Sequence, residues 1–319
     1  MSSVVENCDD RYTIVEHDAC QAHRAGELQQ LLAHCEVVDG RPPLGDHALN
    51  ALANAEPMIH AFTLVDPPSR LVAYAQVTPT AETPPTWTID IAIDPSHRHA
   101  RATILDTTLD TMLERVRASD AHSVQWWCHE PTETDHSIAE SHGLTPSRQL
   151  LEMYTQLGPI PLRPTITTRP FVAEVDEPAL LEVNNLAFAQ HPDQGNWTHD
   201  SLAGRFNSDW FDPAGLLVHV DVTGAMLGFC WTKIHHPTAT LPVGEIYVVA
   251  VRPSHHGHGL GRALTQTGLA SLHERHINHV MLFVDGANTT ARNLYQQLGF
   301  SVTSTTTAFR RDNVMNACG

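Results

Sequence analysis

Gly244-Glu-Ile-Tyr-Val-Val-Ala-Val-Arg-Pro-Ser-His-His-Gly-His-Gly-Leu-Gly261 decides how the rest of the chain is read. A β-branched run carrying one acid gives way to Pro253, and glycines at 257, 259 and 261 then open a leucine-rich stretch. The run reads as a buried strand and the glycines as the entry to a helix. Glycines leave the first amides of a helix bare, and those N–H groups together with the helix dipole seat a phosphate. An acid on the preceding strand stands beside whatever the phosphate-bearing molecule delivers, so the stretch predicts an enzyme. Strict alternation would put Glu245, Tyr247, Val249 and Val251 on one face and Ile246, Val248 and Ala250 on the other.

Working outward, the spacing predicts a helix over Gly259–His276 with Leu260, Leu264, Leu269 and Leu272 on one face. A strand His279–Asp285, a helix Asn288–Leu298 and a Thr-rich strand Ser301–Arg310 follow. Ahead of the decisive stretch come a strand Ile166–Val172, helices Glu177–Ala189 and His199–Phe211, and strands Gly215–Asp221 and Met226–His235. The first half repeats the order: Tyr12–His17, Gln21–Cys35, Leu44–Asn54, His60–Asp66, Leu71–Thr78, Trp87–Ile93, Ala102–Ala118, Ser123–His129, Thr134–His142 and Gln149–Leu157. Ile91-Ala-Ile-Asp-Pro95 parallels Val249-Ala-Val-Arg-Pro253, and Ala139-Glu-Ser-His-Gly-Leu144 parallels Tyr295-Gln-Gln-Leu-Gly-Phe300. An α/β unit written twice is the economical account. The expected division is an N-terminal domain over 1–158, a proline-rich linker over 159–165 and a C-terminal domain over 166–319.

A length of 319 residues suits two such domains. The formal charge of −17 argues against a nucleic-acid partner, because nothing neutralises phosphates in bulk. The six cysteines form no C-x-x-C pair, which argues against a zinc site or a disulfide framework. The acidic N-terminus has no signal-peptide core, and no apolar run reaches the ~18 residues of a membrane helix. We expect a cytoplasmic monomer without a metal and without a membrane partner.

The set of strand acid, proline, basic-x-x-Gly-x-Gly, amphipathic helix, strand, Asn and Tyr-x-x-x-Gly-Phe resembles the GCN5-related N-acetyltransferases (GNAT). The doubled unit is similar to the tandem members that acetylate the cysteinyl amine of desacetylmycothiol. His191-Pro-Asp-Gln-Gly195 with Trp197-Thr198, Phe229-Cys-Trp-Thr-Lys-Ile-His235 and Gly244-Glu-Ile-Tyr-Val-Val carry that closer likeness. The resemblance implies two tandem GNAT domains, each a mixed sheet splayed at its centre with helices on both faces. It implies acetyl-CoA as co-substrate, held by Val249, Ala250 and Val251, by His256, Gly257, His258, Gly259, Leu260, Gly261 and Arg262, and by Asn288, Thr289, Thr290, Ala291, Arg292 and Asn293. It also implies an acceptor held by Glu36, Asp193, Lys233, Glu245 and Phe283, with Glu36 placing it between the domains. His256 stands where the family has Gln or Arg, and Phe283 where it has Tyr.

Acetyl transfer needs a neutral amine, a polarised thioester carbonyl and a proton for the departing thiolate. Glu245 fits the base, because an acid desolvated at the head of an apolar strand becomes a better one. Its plainer readings are a strand-end acid or a partner of Lys233. Tyr295 is the counterpart of the family's proton donor to the thiolate, though on residue pattern alone it reads as core. Asn288 reads as a helix N-cap. In the first half Ser96–Thr103 holds no glycine, Arg101 and Thr103 stand where glycines belong, and Glu140 lies where a tyrosine is wanted. Asp90 is its one candidate acid, and that half is expected to be non-catalytic. The alternatives are acetylation of another small amine or a protein N-terminus, and acyl-CoA binding without turnover. A dinucleotide fingerprint fails, since Gly259-x-Gly261 is followed at the third position by Leu264.

Overall fold

The computed structural model describes residues 3–8, 12–18, 25–45, 48–49, 51–52, 60–66, 70–80, 85–119, 121–158, 165–189, 194–236 and 241–312. They form two compact units. One comprises the described residues up to Arg148 with those from Thr306 onward, and the other is Gln149–Thr305. In chain order the elements are β1 (Ser3–Cys8), β2 (Tyr12–Asp18), α1 (Ala25–Asp39), β3 (His60–Asp66), β4 (Arg70–Pro79), β5 (Thr86–Ile93), α2 (Arg101–Arg117), β6 (Ser123–His129), α3 (Glu133–Ser141) and β7 (Thr145–Gln156). They continue as β8 (Arg169–Pro170), α4 (Glu177–Ala187), α5 (His199–Phe206), β9 (Leu216–Val220), β10 (Met226–His235), β11 (Val243–Val251), α6 (Leu260–Glu274), β12 (His279–Asp285), α7 (Thr289–Gln297) and β13 (Ser301–Asp312).

The first unit orders its strands β1-β2-β3-β4-β5-β6-β13, and the second β7-β12-β11-β10-β9-β8. In each, one central pair is parallel: β5 with β6, and β11 with β12. The other paired ladders within each unit are antiparallel. The final strands are exchanged. β7 closes the first sequence half yet pairs with β12 from His279↔Gln156 to Asp285↔Leu150. β13 closes the second half yet pairs with β6 from Thr306↔His129 to Asp312↔Ser123. The division at the proline-rich segment is therefore a division of sequence, while the units in space trade their last strands. Residues 159–164 of that segment lie outside the described residues.

Both faces of each sheet are covered, as expected for the mixed α/β class. In the first unit Ile104, Leu105, Leu109 and Met112 of α2 pack on Ile89 and Ile93, while Leu31 and Cys35 of α1 pack on Tyr74 and Ala92. In the second, Leu264, Leu269 and Leu272 of α6 meet Ile246, Val251 and Leu282, and Leu180, Leu181 and Leu202 of α4 and α5 meet Phe229, Trp231 and Val248. Each fully buried leucine contributes roughly 1.5–3 kcal/mol. Gly268 lets α6 lie close on β10, since a Cβ there would stand 2.5 Å from Cys230 Sγ.

Several boundaries differ from expectation. α1 runs on to Asp39 because Gly40, at φ +69, stops it in the left-handed conformation and donates its N–H to the Glu36 carbonyl. The predicted start of that helix at 21–24, and residues 46–47, 50 and 53–54 of the predicted helix Leu44–Asn54, lie outside the described residues. The helix from His199 stops at Phe206, and the chain turns so that Trp210 and Phe211 fold onto Trp231. Instead of a strand Ile166–Val172 only Arg169–Pro170 pairs, because Arg169 and the Val172 N–H are both drawn to the Asp176 carboxylate. β1 was not anticipated. No helix among the described residues is long and apolar enough to cross a membrane.

Candidate active site

The ladder between β10 and β11 slips by one residue. Trp231 pairs with Val248 and Thr232 with Ile246, so Tyr247 is bulged out. A bulge re-aims the side chains that follow it. Strict alternation therefore fails here. Ile246, Val249 and Val251 pack with α6, whereas Tyr247, Val248 and Ala250 pack on the opposite face against Trp231 and the α4–α5 side. Glu245 falls on that opposite face, directly across from Lys233.

The same position is where the sheet opens. β11 pairs with β12 at Val243↔His279, Gly244↔Val280 and Glu245↔Met281, and the pairing then stops although both strands continue. Beyond Glu245 one edge of β11 has no strand partner among the described residues. The Arg252 N–H donates to the Leu227 carbonyl on the β10 side. By alternation the Ala250 N–H also faces β10, and those of Val249 and Val251 face the open edge. An extended amide-bearing arm has unpaired donors and acceptors to meet there. Glu245 is 6% exposed and accepts a 2.7 Å hydrogen bond from His235 Nε2–H.

The edge leads to the glycine loop. Gly257 and Gly259 both sit in the left-handed region, at φ +79 and +80. A Cβ on either would meet nothing within 4 Å, so the approach to the backbone is open. Gly259 is the N-cap of α6 and no side chain caps it. The amides of Leu260, Gly261 and Arg262 precede the first bond of the turn, from Ala263 N–H to the Gly259 carbonyl. His256 folds back instead, its Nε2–H donating to the Val251 carbonyl at 2.9 Å. This open, uncapped cradle with positive-φ glycines fits a phosphate-bearing group.

On the opposite side of the opening, Asn288 caps α7 by accepting from the Ala291 N–H at 3.0 Å. Thr289 and Thr290 beside it are exposed, as is Asn293, while Arg292 is turned to the Gly286 carbonyl. Tyr295, on the same helix, packs against the α6-side core and stands edge-on to Phe300. Burial first, and the neighbouring Cys230 second, push its phenol well above the ordinary tyrosine value, so it stays a proton donor. Its hydroxyl has no hydrogen-bond partner among the described residues. Burial likewise pushes the Cys230 thiol up to about 12, which leaves no thiolate there to carry an acyl group.

The acceptor candidates are only partly assembled. Lys233 lies across from Glu245 but forms no ion pair with it among the described residues. Its ammonium hangs over the rings of Trp210 (4.8 Å) and Tyr247 (5.9 Å). Phe283 is exposed and shares the Glu245 face, since Met281 two residues before it pairs with Glu245. Glu36 stands exposed on α1, in the other unit. Asp193 lies outside the described residues. Sequence reasoning missed the bulge, the role of Trp210, and His235 as partner of Glu245. His235 sat in a quoted motif with no role attached.

The first unit differs at the matching positions. Its β4–β5 ladder runs without a slip, so the position matching Glu245 is Thr88, opposite Thr78, and Asp90 is displaced toward the strand's end. In the place of Tyr295 stands Ala139, whose carbonyl accepts from the Leu144 N–H as the Tyr295 carbonyl does from Phe300; Glu140 is one residue further on.

Comparison with known proteins agrees with this geometry. Residues 180–300 match the sequence model of the acetyltransferase (GNAT) family. A mycothiol acetyltransferase of Saccharopolyspora erythraea is 37% identical over 305 residues, covering 88% of this chain and 99% of that protein. One of Mycolicibacterium gilvum is 34% identical over 297 residues, covering 90% and 94%. Among solved structures, a GCN5-related N-acetyltransferase from Sphaerobacter thermophilus superposes with a TM-score of 0.70 at 24% identity, covering 96% of this chain and 97% of that one. A tandem GNAT protein from the clavulanic acid biosynthesis pathway does so at 0.63 and 17% identity, covering 95% and 98%. The two structures speak for the fold alone.

Proposed function

The chain belongs to the mycothiol acetyltransferase family, and we propose that it moves the acetyl group of acetyl-CoA onto the cysteinyl amine of desacetylmycothiol, giving mycothiol and CoA. The observation that carries the reading is the coincidence at Glu245. A buried carboxylate, the opening of the sheet and an edge at Val249 and Val251 with no strand partner among the described residues all meet within one strand.

In this reading the pantetheine arm lies along the free edge of β11, and the pyrophosphate sits on the amides of Leu260, Gly261 and Arg262. A strand-edge N–H polarises the thioester carbonyl, a preorganised donor of the oxyanion-hole kind. The amine attacks that carbonyl directly. A C–N bond forms, the C–S bond breaks with its electron pair on sulfur, Glu245 takes the amine proton, and Tyr295 gives one to the thiolate. Glu245 lies on the α4–α5 face of β11 and Tyr295 packs with the α6-side core, so in this reading base and acid come from opposite faces of the sheet. The first unit serves as scaffold. We place the reaction in the cytoplasm, where the buried cysteines Cys35, Cys128 and Cys230 stay free.

The test is acceptor competition followed by mass spectrometry of the products. The protein is given acetyl-CoA with desacetylmycothiol, an aminoglycoside and a peptide bearing a free N-terminus together. We expect acetylated desacetylmycothiol to dominate. Equal or preferred acetylation of either other amine would overturn the acceptor while leaving the transferase.

A further inference from the structure

We propose that His235 is a positioning residue, one that holds the Glu245 carboxylate in the orientation needed to take the amine proton. The inference rests on the reading of Glu245 as the base.

In the β10–β11 ladder the residue directly across from Glu245 is Lys233, and His235 is the diagonal neighbour, paired with Val243. A lysine directly opposite a buried glutamate is the expected ion-pair partner. The structure gives the carboxylate to the histidine instead. His235 Nε2 lies 2.7 Å from Glu245 Oε2, with side chains 38% and 8% exposed. The Lys233 ammonium is occupied over Trp210 and Tyr247, and the bulge is what turns the Tyr247 ring onto that face. The outcome matters chemically. A lysine ammonium bonded to the carboxylate would stabilise its charge and weaken it as a base. A neutral imidazole donates one hydrogen bond and adds no charge.

With Oε2 occupied by His235, Oε1 is the oxygen left to accept from the amine. No other hydrogen bond to the Glu245 carboxylate is made among the described residues. During transfer the proton lost by the amine goes to Oε1, and His235 keeps its own proton on Nε2 throughout. Desolvated at the base of the opening, a carboxylate without this bond would be free to rotate away from the amine or toward Lys233.

A double-mutant cycle tests this on the full chain with acetyl-CoA and desacetylmycothiol. His235→Ala is expected to lower kcat at least ~10-fold with KM for acetyl-CoA unchanged, a modest share of what general-base catalysis supplies. His235→Gln, whose amide still offers a donor, should regain most of that loss. In a Glu245→Gln background, adding His235→Ala should change kcat by less than about two-fold, because a residue acting only through Glu245 has nothing left to act on. Losses that multiply in the double variant would overturn the proposal. So would His235→Ala at the wild-type kcat, or His235→Gln no better than Ala. Glu245→Gln alone at the wild-type rate would instead overturn the base assignment, a separate failure read from a separate variant.

Discussion

The ladder between β10 and β11 slips at Tyr247, whereas the ladder between β4 and β5 runs unbroken from Ala73↔Ile93 to Pro79↔Trp87. Both units open their parallel pair, after Glu245↔Met281 in one and one residue further, after Ile89↔Trp126, in the other. One inserted residue therefore separates a strand that presents an acid at its opening from one that presents Thr88, bonded to Gln125. The loops that follow diverge equally. His256–Gly261 reaches its helix through two left-handed glycines, while none of Pro95–Ala100 has a positive φ. Arg101, the first residue of α2, swings across to Asp135 (2.9 Å) and to Cys128 Sγ (3.4 Å). Asp135 belongs to the capping box of α3, the counterpart of α7. An ion pair thus spans from helix start to helix start in the first unit, where the second has open cradle. A shared order of elements does not carry a shared site, because the site depends on backbone that the order leaves free.

The largest effect that could break this comparison is at the acid. Glu245→Gln should cut kcat/KM by ~10²–10⁴-fold at neutral pH and recover in part as rising pH frees the amine without help. Asp90→Asn should leave it unchanged; a comparable loss there would make the first unit a catalyst. Next comes Tyr295→Phe, with an expected loss of ~10²-fold. Higher pH supplies no proton, so that defect should persist or grow in alkali with acetyl-CoA affinity intact. A profile in which alkali repairs Tyr295→Phe would exchange the two roles.

The loop contrast is smaller and sharper. A Cβ at Gly261 would meet Leu294 Cδ1 and Val251 Cγ2 at 3.8 and 3.9 Å, ordinary contact, so Gly261→Val should fold. It should weaken acetyl-CoA at least ~10-fold, about 1.4 kcal/mol, and calorimetry of the wild type should count one equivalent per chain. Two equivalents would mean that the Arg101–Asp135 pair gives way.

The order of elements was legible because alternation, apolar periodicity and the glycine loop are local signals. The same set singles out Glu245 and Tyr295, and the structure puts the first at the opening of the sheet and the second on α7. The bulge was not legible, since Glu-Ile-Tyr-Val-Val-Ala-Val reads equally well as an unbroken strand, and the slip is set by the β10 partner. His235 followed from that register and could not be reached without it. The partners of Thr145–Gln156 and Ser301–Asp312 were also hidden. A strand's sequence states which residues face a core, and a core in either unit would satisfy it.

The smallest effect concerns stability alone and falls on Asp90. Burial pushes its carboxyl up to about 7, against the pull of the Gly45 N–H. Below about pH 4 the folded and unfolded chains both hold that proton. Between about pH 4 and 7 the unfolded chain releases it first, so stability falls as pH rises, by up to ~4 kcal/mol. Asp90→Asn should remove this slope and gain more over wild type at pH 8 than at pH 5 in urea unfolding. An equal gain at both would place the ionised form comfortably in the folded protein.

The exchange of β7 and β13 gives the chain a timetable. The β6 edge is made first, and the strand that covers it follows ~180 residues later. At 5–20 residues per second the ribosome leaves that edge waiting roughly 10–35 s. An uncovered strand edge is a template for pairing with other chains. Throughout that interval the nascent protein carries an adhesive margin that β13 later covers. The second unit runs on the opposite schedule: β7 is already in place when β12 arrives to lie beside it. The second unit can thus close its sheet before the first.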